Sequence, residues 1–195
     1  FGEVPPGQAL LRSGARPDDD LYVSGTLGDA RLALEALLGH IALPAEVLAR
    51  ARQRLERPTP RVALGLALRG IASSAMDLSD GLVGDVGHIL TASGVGAVID
   101  ADDASNLIAA RAYPESASGT FDAELVRRCV LSGGDDYELA FTAPPAQRGA
   151  VAAAATASST AVTRIGTVVA EPGLSLVDGS GQPLAPRYTS FDHFR

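Results

Sequence analysis

The sequence predicts an α+β domain in which helices pack on a mixed β-sheet. Segments with strand-like apolar runs alternate along the chain with segments whose apolar residues recur at helical spacing. These segments do not form a clean β-α-β repeat, so an all-parallel sheet is not expected. The chain has 195 residues, of which 46% are hydrophobic, and this is enough to bury one sizeable core.

Six segments carry the helical pattern, and each has a start or stop signal. Asp29 and Asp122 are predicted N-caps, Pro44 suits the start of a helix, and Pro58 ends one. Four of the predicted helices are 30–38, 45–55, 61–69 and 144–157. A fifth carries Leu82, Val86, Ile89 and Leu90 on one face and ends at Gly94. The sixth carries Leu125, Val126, Cys129 and Val130.

The strand-like segments are short and bounded by glycine or polar turns. Residues 1–20 are predicted to be an extended entry, and a polar stretch is expected from 101 to about 119. The predicted strands are 21–25, 95–100, 139–142, 162–169 and 174–177, and a small apolar segment over 71–76 leads into Asp77.

Composition excludes several classes of function. The net charge is −7 and no basic stripe occurs, so nucleic acid and anionic membranes are not expected partners. The apolar runs are too short to span a bilayer. The single cysteine, Cys129, excludes an internal disulfide framework and favours a reducing, cytoplasmic location. All 16 basic residues are arginine, so a phosphate site must use arginine, backbone N–H groups or a divalent metal.

The densest candidate site is the segment Asp77-Leu78-Ser79-Asp80-Gly81. If a helix begins at its end, two carboxylates and free N–H groups meet there and can hold a hard cation and a phosphate oxygen. The alternative is that Ser79 or Asp80 is an ordinary N-cap and Asp77 a turn residue. Asp85, one helical turn further, is expected to lie at the surface rather than to act as a third ligand.

Three further segments could contact a ligand. The sequence 132–138 places three acids in four residues after two glycines, although a solvated acidic turn has the same pattern. Arg12 and Arg16 flank a glycine that could approach phosphate. Phe191 and Phe194 in the tail could cover a ring, or could pack into the core.

Read together, six phrases resemble the thiamine-monophosphate kinase family. They occur in that family's order and extend over nearly the whole chain, which makes the combination highly specific. The phrases are VPPG with LRSGA (4–15), VSGTLGD (23–29), RPTPR (57–61), AMDLSDGL (75–82), SGGDDYEL (132–139) and FDHF (191–194).

The resemblance implies a three-layer α/β/α-type domain of the aminoimidazole-ribonucleotide synthetase and selenophosphate synthetase superfamily. It also implies transfer of the γ-phosphoryl group of ATP to thiamine monophosphate with the help of Mg²⁺. The acceptor is a phosphate oxygen that is already ionised, so the chemistry needs metal ions, arginine and in-line positioning more than a strong base.

The family's functional residues carry over by position onto six residues of this chain. Asp135 stands where the family often has glutamate, and Ser190-Phe191 where many members have Gly-Tyr. The implied roles are Asp77 and Asp80 as magnesium ligands, Ser79 and Arg12 as nucleotide contacts, and Asp135 and Phe191 as contacts to thiamine monophosphate.

The resemblance also implies how the chain is organised. Residues 1–20 are expected to be the lead-in from an N-terminal domain, and residues 21–195 the C-terminal domain. A homodimer is expected through the N-terminal domain. Two alternatives remain open: another ATP-using synthetase of the same superfamily, and a non-catalytic nucleotide-binding or assembly domain.

Overall fold

The computed structural model describes residues 3–109, 122–185 and 188. Six strands and seven α-helices are found among these residues. The strands are β1 (Asp20–Ser24), β2 (Ser74–Leu78), β3 (Gly96–Asp100), β4 (Glu138–Ala143), β5 (Val162–Val169) and β6 (Gly173–Val177). The helices are α1 (Asp29–Leu37), α2 (Ala45–Glu56), α3 (Val62–Ala67), α4 (Leu82–Ser93), α5 (Ala101–Ser105), α6 (Ala123–Ser132) and α7 (Arg148–Ala157).

The strands form one mixed sheet in the order β2-β4-β1-β5-β3-β6. β3 and β6 are parallel, and the other neighbouring pairs are antiparallel. The predicted mixed sheet is therefore confirmed. β2 lies at one end of this order, a position that matters for the candidate site.

Side chains alternate between the two faces of the sheet and divide the core into two clusters. In β1, Leu21 and Val23 join the larger cluster, which includes residues of α1, α2, α4, α5 and α6, whereas Tyr22 joins the smaller one with α3 and α7. The ring of Tyr22 stacks on Phe141 of β4 with a centroid distance of 5.1 Å. Helices thus lie on both faces, and the predicted three-layer arrangement is confirmed.

Side-chain N-caps explain where two helices begin: α6, which was predicted, and α5, which was not. Asp122 caps α6 by accepting the N–H of Glu124, as predicted. The stretch after β3, expected to be only polar, contains α5, and Asp100 caps it by accepting the N–H groups of Asp102 and Asp103. A helix of five residues is too short to show a helical period, so its composition alone could not distinguish it from a turn.

Two further findings concern the length of the helices and the environment of the single cysteine. Within the described ranges, every helix is too short or too polar to cross a bilayer. Cys129 is fully buried in α6, and this burial raises the pKa of its thiol to about 12. The thiol is therefore a packing group on the buried face of α6.

Asp20 on β1 is buried beneath two arginines, and this gives a prediction about acid stability. Arg148 donates two hydrogen bonds to its carboxylate, and Arg164 and Tyr22 donate one each. Arg148 above all lowers the pKa of Asp20 from 3.8 to about 2. The stabilisation is thus complete above pH 3.8 and is lost as the pH falls towards 2.

Asp20→Asn should therefore be less stable than the wild type at pH 6, with a difference that shrinks as the pH approaches 2. Urea unfolding of the chain at several pH values measures this, with Asp103→Asn, an exposed acid of α5, as the control. A difference that stays constant between pH 6 and pH 2 would contradict the assignment.

Candidate functional site

The first candidate segment begins on the edge strand and continues into α4. In β2, Leu78 is buried in the larger core cluster, so the alternation turns Asp77 to the other face, where it is exposed. The chain then turns through half-buried Ser79 and Asp80. The N-cap of α4 is Gly81, with a φ of 111°, and no side chain caps the helix. Capping of α4 by Ser79 or Asp80, the structural alternative for this segment, is therefore wrong.

Asp85, on the buried side of α4, binds the backbone of the segment 79–80 that precedes the helix. It was expected at the surface, but it is only 2% exposed, and its carboxylate accepts the N–H groups of Ser79 (2.8 Å) and Asp80 (3.0 Å). Burial raises the pKa of Asp85, and the negative charges of Asp80 and Asp77 raise it further. The expectation failed because Asp85 turns inward to accept two backbone N–H groups of the segment that precedes α4, and helical spacing does not show such a contact. Both candidate metal ligands lie within electrostatic reach of this one carboxylate.

The second candidate segment is docked on the first. Its loop, residues 133–137, donates the N–H of Asp135 to the carbonyl oxygen of Ser79 (2.9 Å) and the N–H of Tyr137 to that of Leu78 (2.8 Å). A Cβ on Gly134 would lie 2.5 Å from the Ser79 oxygen, so only glycine permits this approach. We call residues 77–81 the aspartate turn and residues 133–137 the acidic loop. The structure brings Asp77, Ser79, Asp80 and Asp135 together at one end of β2.

The neighbouring acid, Asp136, points into the protein rather than into solvent. Both of its carboxylate oxygens accept the N–H of Gly28, at 3.0 and 2.9 Å. Gly28 is the N-cap of α1, so the predicted N-cap Asp29 is wrong, and Asp29 instead accepts the N–H of Ala109. The N–H of Gly28 is thus bound by a residue 108 positions away, a contact that local sequence cannot show.

Glu138, the last acid of the segment, was not singled out from the sequence. It is completely buried at the start of β4, where it accepts two hydrogen bonds from Arg61 (2.6 and 2.7 Å) and one from Arg54 (2.6 Å). Ser24 donates another at 2.6 Å. A Cβ on Gly25 would lie 2.2 Å from the Glu138 carboxylate, which explains the glycine after Ser24. Of the two arginines, only Arg61 belongs to a segment that the sequence singled out, residues 57–61, and Arg54 lies three residues before it.

A cleft of about 480 Å³ opens beside these segments on the smaller-cluster face of the sheet. Asp77 lies in its wall, and Tyr137, which is 44% exposed, contributes its ring from the acidic loop. Most of the other lining groups are apolar, so the cleft suits a flat organic ring beside a polar edge. Its lining consists of Leu10, Pro58, Pro60, Arg61, Val62, Gly65, Ala75, Met76, Asp77, Tyr137 and Leu139.

Residues 11–15 place Arg12 along the same edge strand. The N–H of Ala75 in β2 donates to the carbonyl oxygen of Leu11 (2.8 Å), and Ser93 of α4 accepts the N–H groups of Gly14 and Ala15. Arg12 is exposed between these contacts. Phe191, the remaining predicted site residue, lies outside the described residues.

The donor set fits magnesium better than a soft metal. Within residues 3–109, 122–185 and 188, no group of three or more His, Cys, Asp or Glu side chains forms a ready metal cluster. Asp77 and Asp80 supply two carboxylates, and magnesium usually takes one or two carboxylates together with substrate phosphate and water. The described part of the chain can therefore provide part of a magnesium site.

Comparison with known proteins gives the class to which this architecture belongs. Residues 6–179 match the family described as AIR synthase related protein, C-terminal domain, and the chain belongs to this family. Within it, the chain is similar to thiamine-monophosphate kinases. It is 43% identical to that of Salmonella typhimurium over 99% of this chain and 58% of the relative.

Solved structures agree with this similarity. The thiamine-monophosphate kinase of Stenotrophomonas maltophilia is 41% identical with a TM-score of 0.78, covering 93% of this chain and 56% of that one. AaThiL complexed with AMPPCP and TMP is 30% identical with a TM-score of 0.73, covering 95% and 54%. The resemblance predicted from the six phrases is confirmed. The chain spans 58% of the length of the Salmonella relative it matches.

Proposed function

We propose that the whole protein transfers the γ-phosphoryl group of ATP to thiamine monophosphate, giving thiamine diphosphate and ADP. The observation that carries this proposal is the docking of the acidic loop on the aspartate turn beside the cleft. The similarity to thiamine-monophosphate kinases over 99% of the chain supports the reaction. The AMPPCP and TMP bound to AaThiL support the pair of substrates.

Each candidate residue has a role in this proposal. Asp77 and Asp80 hold Mg²⁺, which when bound offsets the charge of the phosphate groups. Ser79 and Arg12 contact the nucleotide, with Arg12 directed to the ATP phosphates. Asp135 and Phe191 contact thiamine monophosphate. Asp135 is shorter than the glutamate that the family often has at this position, and it makes this contact directly or through water.

The side chains suit a reaction in which positioning dominates. The acceptor oxygen is already ionised near neutral pH, so no strong general base is needed. Asp85 and Asp136 are buried and occupied with backbone N–H groups, which leaves the more accessible acids for ligands. These N–H contacts hold the segments in place before a ligand arrives, and such preorganisation is the main contribution that a protein makes to phosphoryl transfer.

The remaining expectations belong to the same proposal. Residues 1–20 lead from an N-terminal domain and residues 21–195 form the C-terminal domain. The N-terminal domain completes the metal site and forms a homodimer. Cys129 is buried and is the single cysteine of this sequence, so it has no partner here for an internal disulfide bond, and this supports a cytoplasmic location.

A coupled assay for ADP with purified whole protein, ATP, Mg²⁺ and thiamine monophosphate tests the function. Turnover that requires all three additions is expected, whereas the 195-residue chain alone should show none, because it holds only part of the metal site. Robust turnover by this chain would contradict a site shared with another domain.

Two other outcomes would favour the alternatives. ADP formation with a different acceptor, but not with thiamine monophosphate, would indicate another synthetase of the superfamily. If calorimetric titration of the whole protein with Mg-ATP and thiamine monophosphate gave no heat, it would indicate a purely structural assembly domain.

A further inference from the structure

Asp136 lies between two residues with an unfavourable backbone conformation. Asp135 has a φ of 67° and Tyr137 a φ of 51°, and neither is glycine. A non-glycine residue in this region persists only when its surroundings fix it, and such residues cluster at functional sites. The question is which contacts fix the acidic loop.

The contacts of the loop are directed to two different parts of the protein. Asp135 and Tyr137 use their N–H groups to reach the carbonyl oxygens of Ser79 and Leu78, beside the candidate site. Asp136 uses its side chain, which is only 3% exposed, to reach the N–H of Gly28 at the start of α1.

The attachment at α1 is close and specific. A Cβ on Gly28 would lie 2.9 Å from the side chain of Val130 and 3.0 Å from the backbone of Cys129, so the helix end cannot shift towards α6 to follow a displaced loop. The carbonyl oxygen of Asp136 is also held, because Arg54 of α2 donates to it at 3.1 Å. Position 136 is thus fixed to two helices while positions 135 and 137 face the site.

We propose that Asp136 is a positioning residue: by tying the acidic loop to the N-terminal end of α1, it sets Asp135 and Tyr137 against the aspartate turn. The two adjacent acids then have different roles: Asp135 contacts the ligand, and Asp136 holds the loop from inside the protein. The proposal rests on the proposed function for its kinetic consequence, but its structural part is independent of that function.

The test compares Asp136→Ala and Asp136→Asn in the whole protein. The alanine variant should raise KM for thiamine monophosphate about tenfold, a factor within the range for the loss of one buried hydrogen bond. Its KM for ATP should change little. Asparagine retains an oxygen that can accept the Gly28 N–H, so Asp136→Asn should restore most of the affinity.

Amide hydrogen exchange provides a readout that does not depend on activity. In Asp136→Ala, the amides of Asp135 and Tyr137 should exchange at least about tenfold faster, since the loop opens locally, while those of β1 stay protected. Asp103→Ala, at an exposed position on α5, is the matched control and should change neither quantity.

Several outcomes would overturn the proposal. Wild-type protection of the two amides in Asp136→Ala would show that the loop does not depend on Asp136. A uniform loss of protection, or failure of both Asp136→Ala and Asp136→Ser to fold, would make Asp136 a residue of the general fold. If the wild type lacks kinase activity, the proposed function fails, and the exchange result still decides whether Asp136 holds the loop.

Discussion

Replacing Glu138 with alanine is expected to lower the free energy of unfolding by about 3–5 kcal/mol, the range for removal of one partner from a buried ion pair. Glu138 has no exposed side-chain surface, and the side chains of Arg54 and Arg61 are 19% and 18% exposed. Without the carboxylate, two guanidinium groups remain largely out of water and lose the counter-charge that both contact. Urea unfolding of the 195-residue chain and of the variant measures the loss.

Glu56→Ala is the matched control for this experiment. Glu56 forms an ion pair with Arg52 on α2, but both side chains are about half exposed, so water screens the pair. Its removal should cost about 0.5 kcal/mol or less. Similar losses for the two variants would show that the buried cluster adds no more than a surface pair, and would refute this account of Glu138.

Asp77→Asn is expected to reduce kcat/KM of the whole protein by about 100-fold or more. Removal of a group that only supports a metal ligand typically lowers metal affinity or activity about 10- to 100-fold. Removal of a direct ligand should lower activity at least as much. Asparagine keeps the shape of the side chain but not its charge, so the Mg²⁺ concentration for half-maximal rate should also rise. Both quantities come from the coupled ADP assay at several Mg²⁺ concentrations.

The stability of Asp77→Asn distinguishes a ligand role from a structural one. Asp77 is exposed on the edge strand, so its free energy of unfolding should change by less than about 1 kcal/mol. Asp103→Asn serves as a control for the loss of one negative charge. Near-normal turnover in Asp77→Asn, or a loss of activity that parallels unfolding, would remove Asp77 from the metal site.

Local patterns were sufficient to predict much of the fold. Asp122 caps α6 as expected, because capping depends on residues only two or three positions apart. The strand β5 has the predicted bounds, since its apolar pattern extends over eight residues. By contrast, α5 was missed because five residues do not complete two helical turns.

The candidate site was found as two segments, but the contacts that join them were not. Asp77, Asp80 and Asp135 were identified from their residue types and the family resemblance. Asp85 was wrongly expected at the surface, and Glu138 was overlooked. The roles of both residues depend on their burial and on hydrogen-bond partners that the fold brings to them. Arg61 reaches Glu138 across 77 positions and Ser24 reaches it across 114, and no local pattern indicates such contacts.

The ion cluster at Glu138 has a consequence for how the cleft can change shape. Arg54 and Arg61 lie on either side of Pro58 and Pro60, and both prolines line the cleft. Outward movement of this wall would pull the arginines from a buried carboxylate, which is costly. This part of the cleft wall is therefore expected to be rigid, and any adjustment to the width of a ligand must come from other lining residues such as Leu10.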